Sequence, residues 1–224
     1  MTNAASSHMG YTITNKPIFL NMINFLAFIA LIITITVHEF SHALAADILG
    51  DPTPRSYGRL SLNPLVHADL IGTFLLPFVT ALTGLPTIGW AKPVPIDTYN
   101  LAHPRRDEFI IALAGPASNF IIAIITAIFI KITGYNLIFL QLIILINISI
   151  AIFNLIPLWP LDGSKIFLNL LPVTESVQWQ DALSRYSTPI LLIALFLPIN
   201  GSNLLSIIMT PPIQFFSRIL IPGF

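Results

Sequence analysis

The sequence predicts an all-α polytopic membrane protein, a helical bundle with a short extended or β segment on its cytoplasmic side and a re-entrant hairpin. Three observations carry that reading. The chain has 224 residues, 55% of them hydrophobic and 9% charged, against roughly 25% charged in an ordinary soluble domain. Charge-free runs recur at 18–37, 109–130, 137–161 and 186–217, and a helix needs about 20 apolar residues to cross the hydrocarbon core. Basic residues gather in the polar connections on both sides of residues 70–91, and short basic loops tend to be cytoplasmic.

The elements follow in order. Residues 1–16 are polar; "SSHM" looks like a vector scar, which removes His8 from consideration as a site residue. One membrane-embedded domain is expected over 17–224, with its core at 18–170. Pro17 can open the first helix, and the helical pattern continues to Leu49. Gly50 then fits a C-cap, and Pro52 and Pro54 stop continuation. Residues 51–69 are turn-rich and carry Arg55 and Arg59. The uncharged stretch 70–91 is interrupted by Pro77, Gly84, Pro86 and Gly89. A full crossing there would put one basic loop outside, so a re-entrant or interfacial hairpin is expected. "GWAKPVPID" alternates valines and prolines as an edge strand does.

Clean helices are expected near 108–131, running outward, and 137–156, running inward. Residues 157–182 form a cytoplasmic segment. The tail, 187–222, is broken by Pro198, Gly201, Pro211 and Pro212 and forms one span plus an interfacial segment, or two short spans. Trp90 and Trp159 fit an interfacial belt, and Arg105 and Arg106 fit headgroup anchors near an interfacial His103. Net charge is zero, with ten basic and ten acidic residues and no basic stripe, so no nucleic-acid partner is expected. Cysteine is absent, which excludes disulfides and thiolate metal sites.

The sequence "TVHEFSH", residues 36–42, sits at the end of an uncharged helix. His38 and His42 are one turn apart on one helix face, a spacing at which two imidazoles can hold one zinc ion. Glu39 can reach a water on the metal and act as general base. Two buried histidines satisfied by other helices is the bland alternative. It would put three ionisable groups beside an apolar run, where a charge costs at least ~2.5 kcal/mol at the bilayer centre, for no packing reason.

Catalytic zinc has three protein ligands, and Asp162 in "NLIPLWPLDG" is the best third. Pro157 and Pro160 break the helix before it, letting the backbone turn a carboxylate inward. At about 1.5 Å per residue, His38 lies ~30 Å from Ile18. It is therefore near the inner side, where Asp162 is also expected. Glu108, opening a helix, is a distant runner-up. His67 and Asp69 are two apart, do not share a helix face, and read as an interfacial turn bonded to the backbone.

HEFSH together with Asn154, Pro157, Asp162 and Gly163 of N-x-x-P-x-x-x-x-D-G resembles the site-2 protease family of intramembrane zinc metalloproteases. "GRLSLNPLVH", "GWAKPVP" and "LAGPASN" extend the resemblance over roughly residues 18 to 170. It looks like the compact bacterial and archaeal members, without a PDZ or CBS domain. The resemblance implies Zn2+ held by His38, His42 and Asp162, Glu39 as base, and membrane-spanning segments as substrates. A multi-pass prokaryotic cell-membrane protein is implied, with the lipid bilayer and a single-span membrane protein as partners.

Asn119 and Asn154 are weaker site residues. Gly115 and Asn119 share a helix face, so the amide can bond a neighbouring helix or line the site. Asn154 can donate to a developing oxyanion or tie the broken helix end. "AKPVPI" can hold an extended substrate by main-chain bonds or serve as a cap strand. A zinc or proton transporter using the same buried His and Asp residues is the alternative function. Glu39 argues against it, because a transport site needs no base beside a ligand.

Overall fold

A computed structural model of the chain describes residues 16–75, 79, 90–199 and 201–221. Six helices longer than a turn or two organise these residues: α1 (Lys16–Ile48), α2 (Pro104–Thr133), α3 (Ile138–Asn154), α4 (Asp162–Leu170), α5 (Val173–Phe196) and α6 (Leu204–Leu220). The expected helices over 17–49, 108–131 and 137–156 correspond to α1, α2 and α3 within a few residues. α1 ends as its sequence predicts: Gly50 has φ 105°, and the Asp51 N–H donates to Ala46 O at 2.9 Å. α2 starts a turn early because Pro104 takes the first helical position.

The helices meet along small side chains. Ala112, Gly115, Pro116, Asn119, Ala123 and Ala127 form the buried stripe of α2, so α1 and α3 approach it closely. The main apolar cluster joins Ala123, Ala127 and Ile130 of α2 to Ile144 and Ile148 of α3 and Ile221 beyond α6. Inside the bundle, Asn147 of α3 donates to Thr34 Oγ1 of α1 at 2.9 Å, with both side chains fully buried. The outward faces are also apolar: Phe25, Ile33, Ile121, Ile125, Ile128 and Ile132 are exposed. Two helices among the described residues, Met22–Ile48 and Pro104–Thr133, are long and apolar enough to cross a membrane.

Residues 157–182, expected as one connecting segment, hold α4 and the start of α5. Other expectations are corrected. Pro189, Pro211 and Pro212 lie inside α5 and α6, and the break between these helices is a two-residue hairpin, β1 (Pro198–Ile199) with β2 (Ser202–Asn203). Of the edge strand expected over 89–97, the described residues 90–97 have no regular secondary structure and join no sheet among the described residues. Its neighbour is the stretch 67–73: Trp90 N donates to Gly72 O at 3.2 Å and Lys92 N to His67 O at 2.9 Å. Pro93 and Pro95 have no N–H with which to continue a ladder. Of the hairpin expected over 70–91, Leu70–Leu75 is a π-helix, and 76–89 apart from Val79 lies outside the described residues. So do residues 1–15.

Arg105 and Arg106, expected as headgroup anchors, both have protein partners, and Arg106 stays exposed. Arg105 Nη2 donates to the carbonyls of Leu168 and Asn169 at 3.3 Å each and to that of Leu171, closing the end of α4. Arg106 pairs with Asp107 at 2.8 Å, and Asp107 in turn accepts from the His103 N–H at 2.8 Å to cap α2.

Asp51 ties α1 to the segment before α2. It is fully buried and accepts from Thr53 N at 3.0 Å, Asp97 N at 2.8 Å and Asn100 Nδ2 at 2.9 Å. Burial alone would raise its pKa, but these donors outweigh it and hold the carboxyl below its ordinary value. A depressed native pKa means stability that is present above the ordinary carboxylate pKa and lost as pH falls through the native value. Asp51→Ala is expected to lower stability by at least about 1 kcal/mol, since a buried donor left unpaired costs about 1–3 kcal/mol. It is also expected to flatten the acid limb of stability against pH. Thermal unfolding in detergent at several pH values checks both.

Candidate metal centre

His38 and His42 project from the same side of α1, with ring centroids 4.7 Å apart and planes at 82°. Their Nε2 atoms are 3.1 Å apart. Asp162, the first residue of α4, brings Oδ2 to 3.1 Å from His38 Nε2 and 3.2 Å from His42 Nε2. Among the described residues this is the group of three His, Asp or Glu side chains able to hold one metal ion, with ligand atoms within 4.8 Å of one another. Both histidines are buried.

Each donor is placed by a local cause. The path from α3 to α4 doubles back so tightly that a Cβ on Gly163 would lie 2.4 Å from the carbonyl oxygens of Leu155 and Ile156. Glycine at 163 is therefore what lets Asp162 face α1. The other end of α4 is held by Arg105, and Asn169 Nδ2 donates to Glu108 Oε2 at 3.0 Å. Across the bundle, a Cβ on Gly115 would lie 2.3 Å from His42 Nε2 and 2.6 Å from His38 Nε2. The small stripe of α2 thus makes room for the imidazoles themselves.

The donor set fits a cation. His42 Nδ1 lies 2.7 Å from the Ile111 carbonyl oxygen, which can only accept, so Nδ1 carries the proton and Nε2 offers a lone pair. That lone pair faces a carboxylate oxygen at 3.2 Å. Two electron-rich atoms so close need a cation or a proton between them. Two imidazoles and a carboxylate form a donor set that suits zinc-type metals.

The remaining site residues fall around this group. A cavity of ≈ 460 Å³ opens over it, lined by Glu39, Asn154, Trp159, Lys165 and, from the segment before α2, Trp90, Ala91, Pro93, Val94 and Ile96 among others. Asn154 also donates to Ile150 O at 3.0 Å within its own helix. Asn119 is fully buried, its Nδ2 3.1 Å from His38 Nδ1. Glu108 lines the cavity but stands outside the metal group. His67 is buried and bonds to Ser61 O at 2.7 Å, while Asp69 accepts from Ile71 and Gly72 N–H groups; both belong to the turn, as the spacing predicts. Trp90 and Trp159, expected as interfacial anchors, line the cavity, each half exposed. A second, more apolar cavity of ≈ 240 Å³ adjoins the first and shares Ile35, Trp90, Ala91 and Ile150 with it.

Sequence reasoning missed Gly115 as part of the centre, and the Ile111 carbonyl as its partner. "LAGP" carried a signal for the first; a backbone carbonyl carries none.

The sequence model of peptidase family M50 matches residues 26–138 and 132–197. A Bacillus subtilis protein named "Putative zinc metalloprotease YwhC" is 36% identical over 157 residues, 64% of this chain and 68% of that protein. "Putative zinc metalloprotease Rip2" of Mycolicibacterium smegmatis is 34% identical over 95 residues, 42% of this chain and 35% of that protein. "Zinc metalloprotease MJ0392" of Methanocaldococcus jannaschii is 26% identical over 168 residues, 73% of this chain and 38% of that protein. No solved structure matches the chain.

Gly115→Ala changes no donor atom but puts a methyl group where the imidazoles lie. It is expected to weaken metal binding about tenfold or more, the scale of changes just outside a metal's ligands. Metal content of the purified variant, beside wild type and Asp162→Ala, checks this; full occupancy in Gly115→Ala would mean α2 can yield.

Proposed function

The chain belongs to peptidase family M50, and from that premise we propose that it is a zinc metalloendopeptidase that cleaves a peptide bond in or near a membrane-spanning segment. The observation that carries the reading is the convergence of His38, His42 and Asp162 beside Glu39 at the floor of one cavity. His38, His42 and Asp162 hold Zn2+. When bound, zinc polarises the scissile carbonyl and makes a water nucleophilic near neutral pH.

Glu39 takes a proton from the attacking water as its oxygen bonds the carbonyl carbon. The same carboxyl then delivers a proton to the departing amine nitrogen as the C–N bond breaks. Asn154, on the cavity wall, donates toward the oxygen on which negative charge develops. Trp90, Ala91, Pro93, Val94 and Ile96 line the cavity, and this segment would take an extended substrate segment alongside it. The apolar neighbouring cavity suits a hydrophobic segment running on into the bilayer.

The apolar outward faces of α1 and α2 support an integral, multi-pass membrane protein. The site then lies toward the cytoplasmic side of a prokaryotic cell membrane, with a single-span membrane protein as substrate. Residues 17–224 act as one domain. A transporter reading is not favoured: Glu39 beside His38 serves hydrolysis and has no task in transport.

Glu39→Gln keeps size and leaves the three ligands in place. It is expected to retain zinc and bind substrate while cleaving about 10²–10⁴-fold more slowly, the usual worth of a general base. Zinc content and cleavage of a co-expressed single-span substrate are measured on one preparation; wild-type cleavage by the variant rules out the mechanism. Membrane placement has its own test, since the chain has no cysteine. Single cysteines at the exposed positions Ser56, Tyr99 and Thr174 are expected to label only from the cytoplasmic side.

A further inference from the structure

His38 has one nitrogen facing His42 and Asp162 and another facing α2. The second, Nδ1, lies 3.1 Å from the Asn119 amide nitrogen. The amide oxygen is buried without a hydrogen-bond partner among the described residues. A neutral imidazole carries one proton. If Asn119 donates to Nδ1, the proton of His38 sits on Nε2. There it can donate to Asp162 Oδ2 at 3.1 Å, and Nε2 has no lone pair for a metal.

Half a turn of the amide exchanges its oxygen and nitrogen in nearly the same positions. The oxygen then accepts from Nδ1–H, and the Nε2 lone pair is free. The turned amide also gives its oxygen, otherwise without a partner among the described residues, a donor in the imidazole N–H. The two orientations differ in where His38 keeps its proton. His42 has no such choice, because its Nδ1 faces the Ile111 carbonyl oxygen at 2.7 Å.

Resting on the zinc reading of the site, we propose that Asn119 is a positioning residue of the metal centre that orients His38 as a ligand. With metal bound, its amide oxygen accepts from His38 Nδ1–H. Both imidazoles are then held as ligands, His42 by the Ile111 carbonyl oxygen and His38 by this amide oxygen.

The test uses the full chain in detergent. Zinc affinity is measured by competition with a chelating dye for wild type, Asn119→Asp and Asn119→Leu. Aspartate can only accept, so it is expected to hold zinc at least as tightly as wild type. Leucine keeps bulk but cannot accept, and is expected to bind about 10–100-fold more weakly, as loss of an outer hydrogen-bond partner does. A residue that merely fills space gives the opposite order, because leucine packs in a buried site better than a carboxylate. In ¹⁵N-histidine NMR of zinc-loaded wild type, His38 is expected to carry its proton on Nδ1, assigned by difference from His38→Ala. Leucine binding as tightly as wild type, or an unprotonated Nδ1 in the zinc-loaded protein, overturns the proposal. If neither variant folds, the wild-type spectrum decides alone. A wild-type chain that takes up no zinc overturns the metal reading itself, and is told apart by that.

Discussion

Three electron-rich atoms within 3.2 Å of one another, two of them on buried histidines, are the constraint on which the rest of the structure depends. Left alone, two imidazole lone pairs and a carboxylate repel, and burial strengthens the repulsion. A cation would turn the same arrangement into a crosslink joining α1 to α4. Protonation of a histidine is the substitute available to the metal-free chain. The surrounding fold has to hold the donors close in either case.

It does so by removing atoms rather than adding contacts. Two absent side chains set the geometry: Gly115 lets α2 lie against the imidazoles, and Gly163 lets α4 fold back on the end of α3. Polar ties then keep the closely approached pieces from drifting. Arg105 and Glu108, both near the start of α2, grip the far end of α4. The same helix therefore supplies the floor under the histidines and the clamp on the segment bearing the aspartate.

Much of this was legible in the residues. The long helices follow from charge-free runs, and the i, i+4 histidines follow from helix geometry. Asp162 stood out because a carboxylate after two prolines in an apolar chain has no ordinary explanation. What was not legible depends on partners far away in sequence. Arg105 looks like a headgroup anchor until the carbonyls of residues 168–171 are placed beside it. Trp90 and Trp159 look interfacial until both are seen on one cavity wall. The helices α4 and α5 were hidden because short or polar helices lack the apolar run that marked the others. The prolines of α6 suggested a break that tertiary packing overrides.

The distance in sequence between His38 and Asp162, 124 positions, has a consequence for how the protein comes into being. Chains are synthesised from the N-terminus, so α1 emerges with Glu39 and two ligands long before α4 exists. Until Asp162 has emerged and docked, the nascent chain has no three-donor site. The three-donor site is thereby kept incomplete through most of the chain's own synthesis. Docking of α4 is the step that completes it.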